Sequence, residues 1–150
     1  MANPLTDVRE AVWNALDSDA GLTAFMAGGR KYKLDEGTKI PNKIRKIDCP
    51  SLLIAPASLP IEWQSNMFQE LDFTLNFAGY IYDSRAETAE EFFWLIYKAL
   101  FGAYPNLGLS FVQRFAVSSL SFEPHFEEGR ARFYKVSFNF VVTLRQNPRV

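Results

Sequence analysis

Between Glu70 and Tyr82 the chain alternates without a break. Leu71, Phe73, Leu75, Phe77, Gly79 and Ile81 are interleaved with Glu70, Asp72, Thr74, Asn76, Ala78 and Tyr80. A strict period of two puts one set of side chains on each face of a strand, so one face is buried and the other wetter. A strand from about residue 68 to 82 must therefore pair on a sheet and be covered on its apolar side. The remaining segments have to supply the partners and the cover.

Helices are expected on both sides of that strand. Pro4 suits a first helical position after Asn3, and Leu5, Val8, Val12 and Leu16 recur at helical spacing. Asp17-Ser18-Asp19 reads as a break and a fresh cap. Leu22, Phe25 and Met26 then make a short apolar turn that Gly28-Gly29 ends. After Asp83-Ser84-Arg85, a capping box from Ser84 with Glu87, or Thr88 with Glu91, opens a helix. Its inner face is Phe92, Leu95, Ile96, Ala99 and Leu100, and Gly102 closes it.

A short strand is expected at Ser51–Ala55, and two longer ones at about 109–122 and 131–144. A hairpin loop from Glu123 to Arg130 joins the last two. Residues 30–50 read as a long basic connection, and 59–66 as a second loop. The order helix, strand, strand, helix, strand, strand predicts an α+β fold in a single domain, residues 1–150. Its sheet is antiparallel or mixed, with about four strands and helices packed on one face.

Composition narrows the function classes. The 48% of hydrophobic residues, with 14 Phe and 6 Tyr, exceeds what a disordered chain carries. The lone Cys49 excludes an intramolecular disulfide. No basic n-region or apolar run opens the sequence, and Lys98 interrupts the most apolar stretch. A cytoplasmic setting without membrane contact is the expectation. The net charge of -1 argues against nucleic acid as the main partner of the whole surface.

That charge is unevenly distributed. Arg30, Lys31, Lys33, Lys39, Lys43, Arg45 and Lys46 face only Asp35 and Glu36 in their segment, and residues 130–150 carry no acid. The stretch between is acidic. Segregation of this kind suits head-to-tail association through complementary fields, although folding that mixes the segments explains it equally well.

Catalytic chemistry finds little support. His125, the only histidine, is placed in the hairpin loop with no second histidine or cysteine beside it to build a zinc site. Cys49, next to Pro50, reads as a buried inert thiol. Glu90-Glu91 and Glu127-Glu128 read as solvated charges, and no phosphate-binding glycine motif is present. No catalytic, cofactor-binding or metal-ligating residue is assigned. Trp13 and Trp94 lie beside apolar stripes, as core or its rim. Trp63, in a loop, is a candidate interface anchor, or folds back over the sheet.

The order of elements resembles that of tail-terminator or tail-completion proteins of long-tailed bacteriophages and prophages. The likeness runs through the helix Val8–Leu16, Ala20–Met26, Pro50–Ile54, Phe73–Phe77, the helix Glu87–Phe101 and the closing Val141–Arg145. The basic segment is longer than the family's usual connection. The resemblance implies a non-enzymatic structural protein of the virion tail, assembled in the host cytoplasm. It further implies a ring, commonly a hexamer, that caps the tail tube and meets the head connector, with no cofactor. The basic residues from Arg30 to Lys46 would then face DNA in the lumen or dock on a neighbouring ring. The alternative is a small cytoplasmic ligand-binding or regulatory module, with Tyr80 and Tyr82, on opposite faces of their strand, reaching its pocket.

Overall fold

The computed structural model describes residues 4–26, 30–33, 49–56, 61–63, 69–83, 85–102, 107–127 and 130–146. In chain order the elements are α1 (Pro4–Ser18), α2 (Ala20–Phe25), β1 (Arg30–Lys33), β2 (Ser51–Pro56), β3 (Ile61–Trp63), β4 (Gln69–Ile81), α3 (Ala86–Phe101), β5 (Val112–Glu127) and β6 (Arg130–Gln146). The strands form one mixed sheet in the order β1-β2-β4-β6-β5, with β3 also pairing β4. The α+β expectation is met, and the antiparallel set β2-β4-β6-β5 supplies its four main strands.

Strand β4 sits at the centre because it has the cleanest alternation. Phe73, Leu75, Phe77, Gly79 and Ile81 are all buried on one face. In register beside them on β6, Val142, Phe140, Phe138 and Val136 are buried too. Rings join the two rows: Phe77 stacks on Phe138 at 4.6 Å, and Phe115 of β5 meets Phe140 at 5.3 Å.

The three helices pack with this face into one core cluster. Val8, Val12, Trp13 and Leu16 of α1, Leu22 of α2, and Ala89, Phe92, Ile96, Ala99 and Leu100 of α3 are buried. Gly79 sets the seating of α3. A Cβ at that position would stand 2.6 Å from Cε2 of Phe92, so only glycine lets the helix come this close.

Four expectations are corrected. Arg30–Lys33, read as the start of a loop, is a strand that pairs in parallel with β2. Trp63, also read as loop, ends β3 and pairs with Gln69 of β4. The hairpin loop expected at 123–130 is much shorter, since β5 runs to Glu127 and pairs it with Arg130. His125 is therefore a strand residue. The Thr88–Glu91 capping box is replaced by Asp83. Its carboxylate accepts from the Arg85 backbone N–H at 2.9 Å and the Thr88 hydroxyl at 3.0 Å. Ser84, the other cap candidate, lies outside the described residues, as do Asn3 and Gly28-Gly29.

Candidate interaction surface

Helix α3 buries residues 89, 92, 96, 99 and 100, which turns Trp94 outward. Its side is 55% exposed, against 8% for Trp13, which belongs to the core. Trp94 is nonetheless held. Its ring stacks on Tyr97 at 5.6 Å, Tyr97 stacks on Phe101 at 4.3 Å, and Phe101 reaches Phe115 of β5 at 5.0 Å. One turn away, Phe93 meets Phe122 of β5 edge-on at 6.3 Å. An aromatic ladder thus runs from the outer side of α3 to the strand at the sheet's edge.

That strand is long and irregular. Its register with β6 shifts between Val112 and Arg114, between Ser118 and Ser121, and between His125 and Phe126. Ser119, inside the second shift, has φ +56, which marks a bulge that bends the strand and strengthens its twist. Leu120 at the bulge, Phe122 just after it and Phe126 near the hairpin end are all exposed. With Trp94 they are the large exposed hydrophobics among the described residues. Exposed large apolar groups concentrated on one strand and the helix beside it are a usual mark of an interaction surface.

The opposite face of the sheet carries a second ring cluster. The Phe133 ring lies 4.4 Å from His125, stacked with only 8° between their planes, 6.0 Å from Tyr82 and 6.4 Å from Tyr80. Tyr80 and Tyr82 therefore share a face, as residues two apart on an extended chain must, and the expectation of opposite faces is corrected. His125 Nε2 lies 3.9 Å from the Glu123 carboxylate. Toward the other end of this face Thr143 is buried, and its hydroxyl donates to Asp72 at 2.8 Å.

Cys49 is half-buried and lines a small open cavity of about 260 Å³ with Phe25, Pro50, Ile81, Tyr82, Asp83 and Thr88. That volume falls below the range of pockets that enclose a drug-sized ligand. Burial pushes the Asp83 carboxyl up, but hydrogen bonds from Arg85 and Thr88, with the Arg85 charge, outweigh it and hold the group below its ordinary value. Glu90 and Glu91 are exposed. Among the described residues no group of three or more His, Cys, Asp or Glu is placed to hold a metal ion. No helix among them is long and apolar enough to cross a membrane.

The residues singled out in the sequence are dispersed by the fold. Arg30, Lys31 and Lys33 lie on β1, at the opposite edge of the sheet from β5. Lys39, Lys43, Arg45 and Lys46 lie outside the described residues. Trp63 ends β3, which pairs with β4 off the main strand order. The α3–β5 flank went unread because its residues pass for core in sequence. Phe122 and Phe126 fall where a strand end and a loop were expected, and Trp94 sits beside an apolar stripe.

No protein-family model and no curated protein matches the chain. Solved structures do share its fold. A chain of the virion of a native gene transfer agent particle superposes with a TM-score of 0.70 at 12% identity, covering 97% of this chain and 100% of that one. The bacteriophage SPP1 gp17 protein superposes with a TM-score of 0.52 at 18% identity, covering 91% of this chain and 88% of its own.

Proposed function

We propose that this chain is a structural protein of a phage tail or tail-like particle, acting by assembly and not by catalysis. In this reading it forms a ring that caps the finished tail tube and offers its other side to the head connector. The observation that carries the reading is the end-to-end fold likeness to a chain of a gene transfer agent virion, which leaves almost nothing of either chain unmatched. The likeness to a bacteriophage protein supports it independently. An aromatic flank on α3 and β5 is the kind of surface that assembly consumes. Formation in the host cytoplasm and contact of basic residues with DNA in the ring's lumen belong to the same proposal.

The test is to add the purified protein to its tail-tube protein during polymerisation and to image the products by negative-stain electron microscopy. Tubes that stop growing and carry a cap of density at one end support the proposal. Tubes of unchanged length with bare ends overturn it.

A further inference from the structure

We propose that the outward face of α3 receives an arginine side chain from a neighbouring protein of the particle, stacked on Trp94 beside carboxylates. This deepens the assembly reading above, and rests on it, by naming the chemistry of the partner. Glu87, Glu90, Glu91, Trp94 and Lys98 share one side of the helix at three- and four-residue spacing, and all are exposed. The three glutamates are not explained by the fold. The helix starts at Ala86, so its dipole favours Glu87 in the first turn but falls off before Glu90 and Glu91. A base four residues on would pair with each acid. Glu87 has Glu91 there instead, a like-charge pair that destabilises a helix, while Glu90 has Trp94 and Glu91 has Leu95. Among the described residues none of the three is in an ion pair. Arg85, the nearest base along the chain, is held by Asp83. Lys98 lies a turn beyond Trp94, on the side away from the glutamates. Like charges kept together on one helix face call for a countercharge from outside.

Trp94 decides which kind of cation fits. Its indole stacks on Tyr97 with 9° between the planes, and the ladder through Phe101 to Phe115 holds that arrangement. It is 55% exposed all the same. A helical side chain leans toward the start of its helix, here toward the turn of Glu90 and Glu91. A cation resting on the outer side of the indole therefore meets carboxylates as well as the ring. Tryptophan is the best ring for such a contact. Arginine suits the place better than lysine, because its planar guanidinium stacks on a ring and also donates two hydrogen bonds to one carboxylate.

The probes are blocked Gly-Arg-Gly-Arg-Gly peptides and their lysine and norleucine versions, titrated into the full chain. Binding is followed by NMR at the indole N–H resonances, with that of Trp94 assigned through Trp94→Phe. The Trp94 resonance is expected to shift saturably with the arginine peptide, less with lysine and not with norleucine, while that of buried Trp13 stays in place. Glu90→Gln with Glu91→Gln should weaken the arginine response about tenfold. The same variant should keep its native circular dichroism and a Tm no lower than the natural protein's, because it removes repulsion. A fall in Tm would make the carboxylates part of the fold and overturn the proposal. So would an unmoved Trp94 resonance, a response the variant leaves undiminished, or a lysine response as strong as that to arginine. A Trp94 resonance that shifts with protein concentration alone would give the face to a second copy, and also overturn it. In the tube-capping experiment, Glu90→Lys with Glu91→Lys should abolish the caps. Caps that persist overturn the proposal and leave the assembly reading standing. A natural protein that binds the arginine peptide at Trp94 but never caps a tube overturns the assembly reading and leaves the arginine site.

Discussion

Gly79 and Phe92 form the tightest junction between the helical layer and the sheet. The Phe92 ring is fully buried and also stacks on Phe25 at 5.4 Å, so it has little room to yield to a new side chain. Gly79→Val should therefore cost about 1–3 kcal/mol, the range for overpacking a filled core, read as a lower urea midpoint with an unchanged slope. Asp83 does different work at the start of α3. Its two hydrogen bonds replace the side-chain cap that Arg85 cannot provide. Asp83→Ala should cost about 0.5–2 kcal/mol at neutral pH, and the exposed ion pair with Arg85 adds little to that. Because the folded carboxyl is held below its ordinary value of 3.8, its contribution is full above that value and is lost as pH falls through the depressed one. The gap in Tm between the natural protein and Asp83→Ala should thus be constant near neutrality and shrink in acid. A gap that widens in acid would contradict this account.

The elements differ in how far the sequence announces them. Strand β4 and helix α3 were legible to within a residue or two, because long stretches of period two and period 3.6 leave few alternatives. Strands β1 and β3 were not. Arg30–Lys33 and Ile61–Trp63 are too short to show a period, and their pairing with β2 and β4 depends on chain that lies elsewhere. The β5–β6 hairpin was found but cut short, since its bulges interrupt the alternation that would have carried β5 through His125 to Glu127. The same interruptions concealed the candidate surface, which forms only once Phe122 stands beside Phe93 of α3. The aromatic ladder supports a prediction at this scale. Trp94 is exposed, and among the described residues its ring stacks on Tyr97 alone, so Trp94→Ala should leave the circular dichroism spectrum and Tm almost unchanged. If the flank is a contact surface, the same variant should weaken assembly by about 2 kcal/mol or more, as buried tryptophan anchors do. Equal losses of stability and assembly would instead make Trp94 a part of the fold.

At the scale of the whole molecule, the fold rearranges the charge pattern read along the chain. The ladders set Glu123 opposite Lys135, Glu127 opposite Arg130 and Glu70 opposite Arg145, so folding mixes acids of the middle segment with the basic closing strand. The central claim is assembly, and its most direct test is the absolute mass of the purified protein by light scattering, over a range of concentration and salt, with and without tail tubes. The account predicts a closed multiple of the 17.1 kDa chain, reached as concentration rises or on contact with tubes. A monomer under all of these conditions would contradict it.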